Sequence, residues 1–238
     1  MRFAHKRLVV IGGSSGMGLA TAKAATAAGA QVVIASRSKE KLEQARREIG
    51  GDTEVMPLDV RDEAAIQAFF DQVGEFDHLT TPGNEAAGGP FLTRETAEVR
   101  ADFDSKFWGQ YLAAKYGAPF IRPGGSIVFF SGIYSQRPSV GVSGVAAINS
   151  AIEGLARGLA VELAPIRVNA VSPGLIDTPI FAGMPKEVRN EMFQRFAAAA
   201  PLKRVGRPEE IAQTVLYLMS NTLCTGSTLY VDSGYTLR

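Results

Sequence analysis

The segment Ile11–Gly18 reads IGGSSGMG and sits between an apolar run, Leu8–Ile11, and an alanine-rich stretch. Gly12, Gly16 and Gly18 have the spacing Gly-x-x-x-Gly-x-Gly. At a strand-to-helix turn, glycines so placed let the chain turn tightly and bring backbone close to a pyrophosphate. They also pack the helix on the sheet, while unbonded N–H groups at the helix start face the phosphates. Ser14, Ser15 and Met17 complete the candidate loop. Surface loops also collect Gly and Ser, but the strand-turn-helix context favours dinucleotide binding.

A second candidate closes the next apolar run, QVVIASR. An acid at the end of that strand would bond both ribose hydroxyls and repel a 2′-phosphate. Ser36 and Arg37 stand there instead, with Lys39 close by. A guanidinium can pair with a 2′-phosphate and stack on adenine, so NADP(H) is expected over NAD(H). Arg37 capping a solvated helix start is the plainer alternative.

The elements that must hold these residues follow from the rhythm of the chain. RLVVIGG, QVVIASR, TEVMPLDV, FDHLTT, GSIVFFSG, IRVNAVSPG and STLYVDSG read as strands, and helical segments separate most of them. The helix after the second strand opens at Ser38 and stops at Gly50. A long helix covers much of the stretch from Glu95 to Ile121. Val/Ile-rich runs without strict alternation imply a parallel sheet buried on both faces. The expected fold is therefore α/β, a doubly wound parallel sheet of about seven strands in one domain. Between Pro179 and Pro208, Pro and Gly punctuation around two amphipathic pieces breaks the rhythm, and a substrate-side lid over residues 179–208 is expected.

With 238 residues and 46% hydrophobic content, the chain can bury a sizeable core. Lys plus Arg total 25 against 24 Asp plus Glu, so there is no strong field to hold nucleic acid or an anionic membrane. The run Leu8–Ile11 breaks at Gly12 and reads as a strand rather than a signal peptide. A lone cysteine, Cys224, fits a reducing compartment, and a cytoplasmic location is expected. No Cys/His/Asp spacing points to a metal.

Several motifs occur in order and carry a family resemblance. They are IGGSSGMG, PLDV, LARGLAVEL followed by APIRVNAVSPG, VSPGLIDTP, GRPEEIA and VDSG. From about Lys6 to Gly234 the chain resembles the short-chain dehydrogenase/reductase family. The resemblance implies a Rossmann-type NAD(P)-binding domain over residues 1–238. It implies that Asp59, with Val60 beside it, meets the adenine. It implies that Pro173, Gly174, Ile176 and Thr178 form the loop beside the nicotinamide. It also implies subunit pairing, as a homo-dimer or homo-tetramer.

The same resemblance puts the catalytic half in question. The family's Tyr-x-x-x-Lys falls on Val145 and Asn149, and its serine position falls on Gly132, beside Ser131. The family's Asn-x-x-Gly becomes Lys106-Phe-Trp-Gly109, and its Asn-Asn-Ala-Gly becomes Thr81-Pro82-Gly83-Asn84. A valine cannot transfer a proton. Lysine and asparagine look exchanged between two facing helices, so Lys106 could supply the ammonium with Asn149 as its partner; coincidence, with Lys106 running to solvent, is the alternative. Tyr134 is the leading replacement acid, with an aromatic rim residue as the plainer reading, and Lys106 itself could serve if desolvation depressed its pKa. Ser131 could replace the missing serine by a small backbone shift. Ser135 and Ser143 are nearby hydroxyls, whereas His5 and His78 lie elsewhere.

Three readings follow. The first is an NADP(H)-dependent oxidoreductase of a small carbonyl or alcohol with a non-standard proton-transfer site. The second is an NADP(H)-binding pseudoenzyme or sensor without turnover. The third is an assembly subunit, supported by the small residues Ala151, Gly154, Ala156, Gly158 and Ala160. It leaves the nucleotide motifs without a role.

Overall fold

The structure is a computed structural model describing residues 3–82 and 86–237. Its strands are β1 (Arg7–Ile11), β2 (Gln31–Ser36), β3 (Glu54–Pro57), β4 (Phe76–Thr80), β5 (Ile121–Phe130), β6 (Arg167–Pro173) and β7 (Thr228–Val231). They form one parallel sheet in the order β3-β2-β1-β4-β5-β6-β7. The chain builds outward from β1 to β3, then jumps back to lay β4 on the other side of β1. That reversal opens a crevice at the carboxyl ends of β1 and β4, where open α/β sheets hold their ligands.

The helices are α1 (Gly16–Ala27), α2 (Lys39–Ile49), α3 (Glu63–Val73), α4 (Thr96–Asp102), α5 (Gly109–Gly117), α6 (Ser143–Glu162), α7 (Lys186–Ala199) and α8 (Pro208–Ser220). Along β1 the side chains alternate between two cores. Val9 and Ile11 join Phe70 of α3, Leu112 of α5 and Ile148 of α6. Leu8 and Val10 join Ala22 of α1, Leu42 of α2 and Ile211 of α8. Both faces are covered, which is why the strands read as unbroken apolar runs.

Local signals set the helix ends. Ser38 caps α2 by accepting from Lys41 N at 3.2 Å, and Gly50 ends it with φ of 74°. Asp62 caps α3 by accepting from Ala65 N at 3.0 Å. The expected third strand is shorter than its apolar run, because the Asp59 carboxylate accepts from Arg61 N at 3.0 Å and turns the chain. Asp59 and Val60 therefore stand on the loop beyond β3.

The long helix is continuous from α4 to α5 but carries a π-helical stretch, Phe103–Trp108, in its middle. The segment 179–208 contains a 3₁₀ turn, Pro179–Phe181, then α7, of which only Phe196 is buried. Phe196 stacks on Tyr235 with ring centroids 4.6 Å apart.

Candidate functional site

The glycine loop closes the crevice at the end of β1. Gly12 takes φ of 96°, where a side chain is strained, and its N–H donates to Ala35 O at 2.6 Å. A Cβ on Gly18 would lie 2.0 Å from Gly12 O, so the first turn of α1 rests directly on the loop. Ser15 is the exposed N-cap of α1, its hydroxyl making no capping bond, and no acid stands in the first turn. That helix end can receive an anion. Ser14 lies half-buried between them, and Met17 packs against the core of α1 and α8.

The loop after β6 meets the glycine loop. A Cβ on Gly16 would lie 3.4 Å from Thr178 Cβ. Pro173 ends β6, and Gly174 N donates to Val231 O at 3.0 Å. Ile176 is buried and bridges to Gly206. Residues far apart in sequence thus form one wall.

At the end of β2, Ser36 Oγ is buried without a hydrogen-bond partner among the described residues, and Arg37 is exposed beside it. Asp59 is held ionised, at about 2, chiefly by hydrogen bonds from the Arg61 side chain, with the charge of Arg37 adding to the effect. Val60 abuts the long helix, where a Cβ on Gly109 would lie 2.9 Å from Val60 Cγ2. A glycine loop with no room for a side chain at Gly13 or Gly18, an open helix start and an unpartnered hydroxyl beside a guanidinium together fit a dinucleotide.

On the other side of the crevice, Lys106 reaches inward from the π-helical stretch. Its Nζ donates to Asn149 Oδ1 at 2.7 Å and to Ser131 O at 3.2 Å. Asn149 is buried on α6 and donates from Nδ2 to Gly132 O at 3.1 Å. Burial pushes the Lys106 ammonium down to about 8, against the opposing charge of Asp102. An ammonium has three donors, and two have acceptors here. The lysine therefore does not run to solvent along its helix.

Gln110 fixes this arrangement. It is fully buried, donates to Lys106 O at 2.9 Å and to Phe130 O at 3.1 Å, and accepts from Phe130 N at 2.8 Å and Thr81 Oγ1 at 2.7 Å. Three of its four bonds join the long helix to the ends of β4 and β5, and the fourth holds the turn of that helix that carries Lys106. Gly132 faces Asn149 so closely that a Cβ would lie 2.8 Å from Nδ2.

Other sequence candidates fall differently. Ser131 meets Lys106 through its carbonyl; its hydroxyl turns to Glu153 Oε1 at 2.7 Å, so it does not stand in for the missing serine. Tyr134 packs with Ile133, Phe196, Leu175, Val205 and Tyr235 on the side of α7. Burial raises its hydroxyl above the ordinary value, Tyr235 adds to this and a bond with Ser139 opposes it. That makes Tyr134 a weaker acid. Val145 is buried on α6, and Ser143 begins that helix.

His78 is a core histidine, 2.9 Å from Ser126 Oγ and held at about 4 by burial. Gly83 and Asn84 lie outside the described residues. Among the described residues no cluster of His, Cys, Asp and Glu could hold a metal, and no helix is long and apolar enough to cross a membrane.

Two site residues escape sequence reasoning. Gln110 has no motif of its own. Glu153, buried on the face of α6 that carries Asn149, was readable only as an acid at i+4 on an otherwise apolar stripe.

Comparison with known proteins gives concordant results. The family model described as enoyl-(acyl carrier protein) reductase matches residues 12–236. A cis-4-hydroxycyclohexanecarboxylate dehydrogenase of Sinomonas cyclohexanicum is 34% identical, over 98% of this chain and 98% of that protein. The crystal structure of a small-chain dehydrogenase in complex with NADPH superposes with a TM-score of 0.86 at 36% identity, covering 98% of this chain and 99% of that one. A short-chain dehydrogenase/reductase family protein superposes with a TM-score of 0.92 at 32% identity over the whole of both chains.

Proposed function

The chain belongs to the short-chain dehydrogenase/reductase family, and from that premise we propose that it is an NADP(H)-dependent oxidoreductase acting on a small carbonyl or alcohol. In this reading Lys106 takes the proton-transfer role that the family gives to tyrosine. The observation that carries it is the Lys106–Asn149 contact of 2.7 Å, with the ammonium brought down to about 8. An acid works best when its pKa lies near the working pH. Val145, at the family's tyrosine position, has no proton to give.

Gly12, Ser14, Ser15, Gly16, Met17 and Gly18 would hold the pyrophosphate, Asp59 and Val60 the adenine, and Pro173, Gly174, Ile176 and Thr178 the nicotinamide end. When bound, the nicotinamide supplies or accepts the hydride. Ser36 and Arg37 support NADP(H) over NAD(H), because no acid there repels a 2′-phosphate and a guanidinium is placed to pair with it. The NADPH complex of a 36% identical protein supports the same choice.

Lys106 Nζ, held by Ser131 O and Asn149 Oδ1, keeps a third N–H that in this reading serves the substrate. In reduction it delivers a proton to the substrate oxygen, and in oxidation the neutral amine takes it back. The segment 179–208 covers the substrate, anchored by Phe196 on Tyr235. The same reading places a homo-oligomer in the cytoplasm.

A pseudoenzyme that binds NADP(H) without turnover is the second reading. Val145 and the turned-away Tyr134 favour it. Trp108 is the only tryptophan and is 45% exposed in the π-helical stretch, so its fluorescence reports nucleotide binding from one source. Saturable quenching that favours NADPH over NADH is expected. A carbonyl screen then decides between the readings. Lys106→Ala should lose about 10²-fold or more in turnover, and Tyr134→Phe should keep it. Tight NADPH binding with no turnover of any carbonyl would establish the sensor instead.

A further inference from the structure

We infer that Glu153 is a positioning residue for Lys106, acting through Ser131, Ser135 and Asn149. The inference rests on the reading of Lys106 as the proton-transfer group. Glu153 is buried to 4% exposure on α6 and faces no lysine or arginine in any ion pair among the described residues. Hydroxyls surround it instead. Ser131 Oγ donates to Oε1 at 2.7 Å, Ser135 Oγ donates to Oε1 at 2.6 Å, and Tyr230 OH donates to Oε2 at 3.0 Å.

Both serines also touch what holds the lysine. Ser131 Oγ lies 3.2 Å from Asn149 O, and Ser135 Oγ lies 3.1 Å from Gly132 O. The Ser131 carbonyl accepts from Lys106, and the Gly132 carbonyl accepts from the same Asn149 side chain that accepts from Lys106. One buried carboxylate thus draws the backbone of residues 131–135 onto α6 and ties both to β7 through Tyr230. A carboxylate in a dry site needs its acceptor capacity filled, so all three donors are held firmly.

Asp102, the acid whose charge acts on Lys106, is engaged elsewhere: it pairs with Arg94 at 2.8 Å and accepts from Ala87 N. Tyr230, whose ring is exposed at the sheet edge, meets Ser135 and Gln136 as well as Glu153. Nothing in this network offers Lys106 a direct counter-ion, so its geometry is set by the carbonyls that Glu153 fixes.

The test reads the lysine itself rather than turnover. Trace acetic anhydride labels neutral amines, and peptide mass spectrometry gives the labelling midpoint of Lys106 against pH. Wild type is expected near pH 8. Glu153→Ala loosens residues 131–135, admits water and should move the midpoint up by about one unit or more. Glu153→Gln keeps an acceptor for both serines and should restore it.

If Glu153→Ala does not fold, the double variant Ser131→Ala/Ser135→Ala cuts the same links and should move the midpoint likewise. An unshifted midpoint in a folded Glu153→Ala, or in the double serine variant, overturns the inference. A wild-type midpoint near that of free lysine overturns the reading of Lys106 instead, which keeps the two failures apart.

Discussion

Lys106 Nζ and Asn149 Oδ1 lie 2.7 Å apart, joining the π-helical stretch to α6 across the ends of β5 and β6. The contact explains how a lysine is kept on a helix otherwise committed to the core. Burial disfavours its charge, and the two acceptors together with the charge of Asp102 offset only part of that cost. It also explains why Asn149 tolerates burial. One side of the amide accepts from Lys106, and the other donates to Gly132 O.

The first prediction concerns pH. With Lys106 titrating at about 8, carbonyl reduction, which needs the protonated amine, is expected to hold below pH 8 and fall tenfold per unit above it. Oxidation should show the mirror profile. Stability follows with its own sign. Between about 8 and the ordinary 10.5, the unfolded chain keeps a proton that the folded chain has released. Wild type should therefore gain stability relative to Lys106→Met as pH rises through that window. Urea midpoints of both proteins at several pH values check the second half. A gap that stays constant with pH would show that the lysine is not perturbed.

A second prediction follows from Gly132. Restoring the family's serine there brings a Cβ to 2.8 Å from Asn149 Nδ2, so Asn149 has to move and release Lys106. Gly132→Ser should cost about 1–3 kcal/mol of stability, the usual range for overpacking. Turnover should fall rather than rise, and the labelling midpoint of Lys106 should move with it. Gly132→Ser combined with Asn149→Ala relieves the clash but leaves the Lys106 ammonium without its acceptor, so it should recover neither the stability nor the turnover. Thermal melts and initial rates on the three proteins decide it.

Much of the fold could be read from the chain because most strands are short apolar runs bounded by Gly, Asp or Ser, and Ser38 and Gly50 mark their helix without ambiguity. The π-helical stretch could not be read. No proline marks it, and it arises from a slipped hydrogen bond, Gly109 N to Asp104 O. The nucleotide side was visible because its chemistry is local: one loop, one strand end, one turn. The proton-transfer side was visible only in part, since Lys106 and Asn149 pair across 43 positions. Glu153 was invisible because its three donors come from the segment after β5 and from β7. Ser131 and Tyr134 show the limit of proximity in sequence, for one offers its carbonyl and the other turns toward α7.

The third prediction tests nucleotide choice. A charge-assisted hydrogen bond contributes about 1.5–3 kcal/mol, or roughly 10–100-fold in affinity. Arg37→Ala should weaken NADPH by that factor and leave NADH within about twofold, the same comparison through which the 2′-phosphate is isolated. Raising salt should narrow the NADPH preference of wild type, because Arg37 is exposed and its field is screened. Equal loss for both nucleotides would place Arg37 on the adenine or on the fold instead.

The last prediction separates the cradle from the rest of the fold. Gly18 is buried in the first turn of α1, and a Cβ there would come within 2.0 Å of Gly12 O and 3.1 Å of Gly13 Cα. Backbone on both sides gives the clash no flexible side chain to absorb it, so the glycine loop and the helix start have to part. Gly18→Ala should abolish the Trp108 response to NADPH at any accessible concentration. The lost stability should be at or above the upper end of about 1–3 kcal/mol. Gly158→Ala is the matched control: nothing lies within 4 Å of its Cβ position on the open face of α6, and it sits in a helix interior. There the alanine should stabilise by about 0.5–1 kcal/mol and leave nucleotide binding untouched. Denaturation with and without NADPH reads both effects at once, because a ligand that binds only the folded chain raises the midpoint by mass action. Wild type and Gly158→Ala should show that rise. If Gly18→Ala shows it too, phosphate binding does not depend on the close seating of α1 on the loop, and the assignment of the cradle fails with it.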